Sequence, residues 1–275
     1  MEKYEDLRKI EQLDEIIINK SITAVFQPIV SLKDGSVLGF EGLSRMNEPG
    51  LFNNTEELFL WAEKNGRAWQ LEQVCRHAIL HEISRQKKAF DECNAKLFIN
   101  ASPKVLHDEK FQAGFTKEYT KRYGIDTKRI VFEITERERV ENEASFQAAI
   151  NYYKNQDYQI AIDDAGAAYS GLSRICNLEP NYIKLDISLV KEIYNNSLKY
   201  AMVKGMVEFS RSSGIFLIAE GIETKEEKDA LTELGVQYGQ GYYYGKPSEE
   251  IKPYFESKEN VSPEYLEYRT LSFAY

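Results

Sequence analysis

The segments QIAIDDA (159–165), YIKLDIS (182–188) and IFLIAEG (215–221) each join a short apolar run to a polar residue near its end. Apolar runs of this length that are rich in β-branched residues predict β-strands. The segment SLVKEIYNNSLKYAMVKGMVEFSRSSG (188–214) lies between the last two, and its length and pattern predict a helix. Strands separated by helices pair in parallel, so this part of the chain predicts an α/β fold.

The same alternation continues on both sides of these segments. Five further candidate strands are AVFQPIV (24–30), VLGFEGL (37–43), KLFINAS (96–102), IVFEITE (130–136) and YGQGYYY (238–244). Helical patterns separate the later ones, as in FQAGFTKEYTKRYG (111–124), ASFQAAINYYKNQ (144–156) and TKEEKDALTELG (224–235). Eight strands that alternate with helices in one domain predict a closed (β/α)8 barrel of the TIM type.

The first two strands break the regular pattern. Only SLKDGS (31–36) separates them, and its Asp34-Gly35 pair is typical of a hairpin turn. A parallel crossover requires a dozen or more residues, so these two strands should be antiparallel. The predicted fold is therefore an irregular (β/α)8 TIM-type barrel with an antiparallel first strand.

The composition is that of a globular protein with a full core. Its 275 residues are 43% hydrophobic and contain no Pro/Gly/Ser-rich linker, which favours one large domain. We expect a lead-in helix at residues 1–20, the barrel at 21–256 and a short C-terminal element at 257–275.

Charge and cysteine content narrow the functional classes. The net charge of −9 disfavours nonspecific binding to nucleic acid or to anionic membrane surfaces. The start lacks an apolar signal core and the apolar runs are too short to cross a bilayer, so we expect no membrane insertion. Cys75, Cys93 and Cys176 form no CxxC pair, which suggests a reducing, cytoplasmic location.

Polar residues lie near the ends of the predicted strands and are the main functional signal. They are Glu41, Asn100, Glu133, Asp163, Asp164, Lys184, Glu220 and Gln240. In a barrel the carboxyl ends of the strands converge on one face, where active sites are built. Several carboxylates in one pocket repel one another unless cations share the site. The pattern therefore predicts a cation site at the barrel mouth.

The ligand types indicate which cation and which chemistry. Carboxylate and amide oxygens without interleaved His or Cys favour magnesium or manganese over zinc. Adjacent Asp163 and Asp164 suit a two-metal site, and such sites serve phosphodiester hydrolysis. Lys184 could orient a water or offset phosphate charge, and Arg45 is suited to bidentate contact with phosphate.

Each of these residues also has a plainer interpretation. A single acid at a strand end is commonly a helix cap, although a set of such ends favours a site. His77 and His81 have an HxxxH spacing, but Ala78 occupies the position where a zincin has Glu. Cys75 is expected to be a buried packing residue. The run of three tyrosines at 242–244 is interpreted as barrel lining and packing rather than a base-stacking platform.

The motifs together resemble those of one family. In chain order they are FQPIV (26–30), EGLSR (41–45), FINAS (98–102), FEITE (132–136), IDDAGAAYSGL (162–172), YIKLDISLV (182–190), IAEGIET (218–224) and YGQGYYYGKP (238–247). The ordered set resembles the EAL family of cyclic di-GMP phosphodiesterases over about residues 22–250, with Gly42 where Ala is usual.

The resemblance implies hydrolysis of cyclic di-GMP to linear pGpG in bacterial second-messenger signalling. It also implies two magnesium or manganese ions per site, inhibition by calcium, and a homodimer. The implied metal ligands are Glu41, Asn100, Glu133, Asp163 and Asp164. The implied catalytic residues are Glu220 as the general base or a water-positioning carboxylate, Lys184 holding the attacking water and Glu136 steadying a loop. The implied substrate contacts are Gln27, Leu43, Arg45, Asp186, Glu223 and Gln240.

One loop departs from the family pattern. The family usually reads DDFGTGYSSL where this chain reads DDAGAAYSGL (163–172), so Ala165 replaces an aromatic residue and Ala168 a glycine. The resemblance links this loop to dimer contacts and metal binding, so we expect reduced turnover. The alternative is a nonhydrolytic receptor for cyclic di-GMP, and a third possibility is an enzyme for another phosphate ester.

Overall fold

Eight strands close into a barrel in the order β1 to β8. The structure is a computed structural model and describes residues 2–48, 50–135, 143–165 and 178–252. The strands are β1 (Ile22–Ser31), β2 (Val37–Met46), β3 (Lys96–Asn100), β4 (Ile130–Thr135), β5 (Gln159–Ala165), β6 (Tyr182–Leu185), β7 (Phe216–Ala219) and β8 (Tyr238–Gln240). The barrel predicted from the alternating pattern is confirmed.

The first strand runs against both of its neighbours. β1 pairs antiparallel with β2 and with β8, whereas every pair from β2 to β8 is parallel. At the turn, Asp34 Oδ1 accepts the Ser36 N–H at 3.1 Å and Gly35 has a φ of 73°. Glycine adopts this conformation at low cost. The antiparallel hairpin was therefore predicted correctly, and it leaves the amino end of β1 at the barrel mouth.

Helices cover the outside of the barrel. They are α1 (Glu2–Asn19), α2 (Thr55–Lys64), α3 (Ala68–Arg85), α4 (Lys87–Glu92), α5 (Phe115–Tyr123), α6 (Glu143–Lys154), α7 (Ile187–Val190), α8 (Ser197–Ser213) and α9 (Lys225–Leu234). Helix α1 leads into β1, and the proposed division into domains stays a prediction. The C-terminal element expected at 257–275 lies outside the described residues. Within the described part of the chain, no helix is both long and apolar enough to cross a membrane.

The barrel interior has an apolar layer beneath a polar one. The apolar layer contains Ile29, Phe98, Val131, Ala161, Tyr182 and Ile218. On each parallel strand of this set, a polar residue follows two positions later, as Glu133 follows Val131 and Lys184 follows Tyr182. Side chains two residues apart point to the same side of a strand. Alternation therefore places the polar residues inside the barrel, one layer nearer the mouth.

A buried ion pair ties three of the outer helices together. Arg76 and Glu72 of α3 contact each other and are only 2% and 3% exposed. The guanidinium also donates to Tyr153 Oη on α6 at 2.7 Å and to Thr116 Oγ1 on α5 at 3.1 Å. Burying charges is costly unless they are paired and hydrogen-bonded, and here both conditions hold.

We expect Arg76→Met to destabilise the fold by about 3–5 kcal/mol, because it leaves the Glu72 carboxylate buried without its partner. Urea unfolding followed by circular dichroism measures the change. The double variant Arg76→Met/Glu72→Gln removes both charges and should recover most of the loss. A single variant as stable as the wild type would contradict this account.

Candidate active site at the barrel mouth

Lys184 lies at the centre of a cluster of carboxylates. Its Nζ is 2.8 Å from Glu133 Oε1 and 2.8 Å from Glu220 Oε1. It is also 3.4 Å from Asp163 Oδ1 and 3.5 Å from Glu41 Oε2. These residues come from five different strands or strand ends, and Lys184 is 1% exposed. The structure thus brings together the polar residues that the strand pattern placed at one face.

The four carboxylates outnumber the single ammonium group. Burial alone would lower the pKa of Lys184, but the charges of Asp163, Glu133, Glu220 and Glu41 raise it well above its usual range. Lys184 therefore stays protonated. If all four acids were ionised, the cluster would keep an excess of three negative charges in a buried place, which is unfavourable without a further cation.

Glu133 shows this shortage of positive charge most directly. Its side chain is buried, and its Oε2 accepts no hydrogen bond from any of the described residues. Burial, followed by the charge of Glu41, raises its pKa well above the ordinary value. A buried carboxylate oxygen with no donor fits a metal ligand better than a structural acid.

Glu41 accepts more hydrogen bonds than Glu133 does. Its Oε2 accepts from Gln240 Nε2 at 2.6 Å, and its Oε1 accepts from Asn100 Nδ2 at 3.2 Å. Burial raises its pKa, but the charge of Lys184 and these hydrogen bonds bring the pKa below the ordinary value. Glu41 is therefore ionised in the folded protein. Gln240 Nε2 also donates to Gln27 Oε1 at 3.0 Å, which extends the chain of contacts to β1.

The carboxylates of Asp163 and Asp164 both lie near Glu220, although the two residues are neighbours in a strand. Alternation would send consecutive side chains to opposite sides. Asp164 has a φ of 59°, and the pairing of β5 with β6 shifts register between Ile162 and Ala165. This irregularity lets carboxylate oxygens of Asp163, Asp164 and Glu220 lie within 4.8 Å of one another. Asp tolerates the left-handed region better than most residues, and such strain is common at functional sites.

Glu220 follows the last residue of β7 and is 21% exposed. Burial raises its pKa to about 8, although the charge of Lys184 opposes the rise. Its backbone N–H donates to the Leu185 carbonyl oxygen at 3.1 Å, which fixes the start of the loop after β7 against β6. In its ionised form such an acid is a stronger base than an exposed carboxylate, which suits it to accept a proton.

The remaining predicted residues lie around this cluster. Leu43 and Arg45 share a face of β2 with Glu41, and Arg45 is exposed with Nη1 donating to the Ser44 carbonyl. Asp186 is buried and caps α7 by accepting the Ser188 N–H at 2.8 Å. Glu223 is half-buried in the loop after β7. Glu136 lies outside the described residues, as does Ala168.

At two positions near the site, Gly42 and Ala165, this chain departs from the family pattern. A Cβ at Gly42 would lie 2.6 Å from Ile79 Cγ2, so an alanine there would push against α3. Ala165 is 1% exposed, and its carbonyl accepts the Asp186 N–H at 3.3 Å. It packs in a cluster with Leu185 and Ile222.

The other residues that the sequence analysis considered are two histidines, one cysteine and the tyrosine run. They make packing contacts in the structure. The His77 and His81 rings stack at 5.9 Å, and they also pack against Tyr119 and Tyr123 respectively. Cys75 is buried, as predicted. In the tyrosine run at 242–244, the second and third residues pack against the core, whereas Tyr242 is 51% exposed.

Sequence reasoning overlooked Glu227. This residue is buried beside the loop that carries Glu220, and it accepts three backbone hydrogen bonds. The signal was available, because Thr224 followed three residues later by Glu227 has the spacing of a capping box.

Comparison with known proteins finds a matching family model and several similar proteins. The family model for the EAL domain matches residues 10–247. The "Probable cyclic di-GMP phosphodiesterase PdeG" of Escherichia coli K12 is 30% identical over 244 residues, which cover 86% of this chain and 46% of the relative. The chain thus spans about half the length of this curated relative.

Solved structures give the same picture. A standalone EAL protein from Vibrio cholerae O395, bound to c-di-GMP, has a TM-score of 0.73 and 29% identity, covering 88% of this chain and 98% of that one. BlrP1 of Klebsiella pneumoniae, solved with cyclic di-GMP and either calcium or manganese, has a TM-score of 0.75 and 26% identity, covering 84% and 57%.

Proposed function

Because this chain belongs to the EAL domain family, we propose that it is a metal-dependent phosphodiesterase that hydrolyses cyclic di-GMP to linear pGpG. The observation that carries the proposal is the cluster of Glu41, Glu133, Asp163 and Glu220 around Lys184. The name of the E. coli relative and the ligand in the V. cholerae structure support the substrate.

We propose that the site holds two divalent cations, magnesium or manganese. Glu41, Asn100, Glu133 and Asp163 would be ligands of one, and Asp164 would serve the second. The unpaired Glu133 oxygen and the close approach of Asp163, Asp164 and Glu220 support this assignment. Bound cations would neutralise the excess charge and polarise the phosphate. The BlrP1 complexes with manganese and calcium support the use of divalent ions.

The chain's own residues supply the proton transfer and the orientation of the water. Glu220 Oε1 lies 2.8 Å from Lys184 Nζ, so one water can contact both groups. We propose that Lys184 orients this water and that Glu220 takes its proton. The water oxygen bonds to phosphorus, the bond from phosphorus to the 3′ oxygen breaks, and the leaving oxygen takes up a proton. This leaves a 5′-phosphate, as in pGpG.

The substrate contacts are proposed for the residues around the cluster. Arg45 is exposed at the rim and can reach a phosphate, because a guanidinium suits bidentate contact. Gln240 Oε1 has no hydrogen-bond partner among the described residues and can accept from a ligand. We assign the same class of role to Gln27, Leu43, Asp186 and Glu223. The homodimer, the cytoplasmic location and a role for Glu136 stay predictions.

Turnover of cyclic di-GMP in magnesium, manganese and calcium tests the proposed function. We expect pGpG with the first two ions and none with calcium, while calorimetry in calcium detects binding. Binding without turnover in any ion would favour the alternative of a cyclic di-GMP receptor. Absence of binding at high micromolar protein would reject both functions.

Asp163→Asn should raise the metal concentration needed for half-maximal turnover by at least about tenfold. Mutation of residues that merely orient metal ligands commonly weakens metal binding by that much. The cause is the loss of one ligand charge. Turnover measured against magnesium concentration gives the shift, and Asp229→Asn, on the outer helix α9, is the matched control. An unchanged midpoint would remove Asp163 from the ligand set.

A further inference from the structure

Glu227 lies outside the carboxylate cluster, buried between two segments of the barrel mouth. Its side chain is 3% exposed. Its Oε2 accepts the backbone N–H of Glu223 at 2.9 Å and that of Thr224 at 3.1 Å. Its Oε1 accepts the N–H of Glu192 at 3.1 Å. One carboxylate therefore joins the loop after β7 to the segment after β6.

A capping box accounts for only one of these three contacts. Thr224 Oγ1 accepts the Glu227 N–H at 3.2 Å, and Glu227 Oε2 returns a contact to the Thr224 N–H, which completes a capping box at the start of α9. The contact with Glu192 is not part of that motif. Glu192 has a φ of 55°, a conformation that is unfavourable for a non-glycine residue. The second oxygen of Glu227 holds this residue in place.

The two joined segments carry the reacting groups proposed above. The first runs from Lys184 and Asp186 to Glu192, and the second runs from Glu220 to Glu223. The two segments meet directly after β6 and β7, where the Glu220 N–H donates to the Leu185 carbonyl oxygen. Farther out, a Cβ on Gly221 would lie 2.4 Å from Ile187 Cγ1, so the Ile187 side chain packs directly against the Gly221 backbone. Glu227 closes the outer end of this contact.

We propose that Glu227 is a positioning residue for the site, which sets Glu220 relative to Lys184 by holding the two segments together. The inference rests on the proposed function, because it assigns Glu227 a part in the same reaction. A misplacement of about 1 Å can cost roughly 100-fold in rate even when its cause is remote from the chemistry. The 2.8 Å separation between Lys184 Nζ and Glu220 Oε1 is the distance that Glu227 protects.

Two variants separate positioning from helix capping. Glu227→Gln keeps the volume, but its single oxygen can accept on one side only, so one of the two segments is released. Thr224→Ala removes the capping hydroxyl and leaves all three contacts of the Glu227 carboxylate. Both variants weaken the helix cap, so both should show a modest fall in melting temperature.

We expect Glu227→Gln to lower kcat by at least about tenfold while the Kd for cyclic di-GMP in calcium stays within about twofold. Thr224→Ala should keep kcat within about twofold of the wild type, because it leaves the two segments joined. Both are measured on the full chain at saturating magnesium and at a temperature where each variant is folded by circular dichroism.

Amide hydrogen exchange tests the link without relying on activity. Glu227→Gln should speed the exchange of Glu192 or Glu223, together with that of Glu220, and Thr224→Ala should leave Glu192 and Glu220 unchanged. Equal losses of kcat in the two variants would overturn the proposal and make Glu227 a helix cap alone. A wild type without turnover would count against the proposed function, and unchanged protection of Glu192, Glu220 and Glu223 in Glu227→Gln would overturn the link itself.

Discussion

Glu220→Gln should reduce turnover of cyclic di-GMP by about 100- to 10,000-fold, the range that a general base contributes. The amide keeps the size of the side chain but cannot accept the proton of the attacking water. Binding should change little, since a base acts in the transition state rather than in the ground state. Steady-state kinetics in magnesium and calorimetry in calcium measure the two quantities.

The matched control for this prediction is Glu226→Gln, an exposed acid in the first turn of α9. It changes the charge near the site by the same amount without touching the cluster. We expect it to behave like the wild type. If Glu220→Gln instead shifted the metal dependence as much as Asp163→Asn does, Glu220 would be a ligand and the base would have to be sought elsewhere.

Lys184→Met should abolish turnover and also destabilise the metal-free fold by about 3–5 kcal/mol, the cost of removing one partner from a buried ionic cluster. The methionine fills a similar volume, but Glu41, Glu133, Asp163 and Glu220 then lose their shared cation. Urea unfolding in a chelator measures the stability. Adding magnesium should restore part of it, since an ion that binds only the folded state stabilises that state.

The loss in Lys184→Met should depend on pH in a defined direction. The pKa values of Glu133 and Glu220 are raised in the folded protein, that of Glu220 from 4.5 to about 8. Acids with raised pKa values favour folding below their unfolded pKa and disfavour it as pH rises through the folded value. The variant should therefore be closest to the wild type in acid and weakest above pH 8. Equal stability of both proteins at pH 8 would contradict this account. The control is Lys225→Met, which replaces an exposed lysine outside the cluster.

Much of the fold and the site was predictable because strand periodicity carries over directly into barrel geometry. Val131 followed by Glu133, and Tyr182 followed by Lys184, keep one parity along their strands, so both polar side chains enter the barrel. The Asp34-Gly35 turn similarly predicted the antiparallel hairpin because its length excludes a crossover. These features depend on local sequence alone.

The parts that could not be predicted depend on backbone irregularity or on distant contacts. Asp164 would point away from Glu220 in a regular strand, and only its left-handed conformation and the register shift beside it bring the two together. The contact of Glu227 with Glu192 joins residues 35 positions apart, and no periodicity signals such a pair. Alternation could locate the cluster but not its internal distances.

The direction of β1 determines how α1 is connected to the barrel. In a regular (β/α)8 barrel the first strand begins on the far face, and a strand of 10 residues would put about 33 Å between that end and the mouth. Here β1 runs the other way, so α1 joins the barrel on the mouth side. Leu13 and Ile16 also pack α1 in one apolar cluster with Leu71 and Val74 of α3. A pull or twist applied to α1 would therefore act mechanically on the mouth end of β1, at Ile22, before it reached the far end of the barrel.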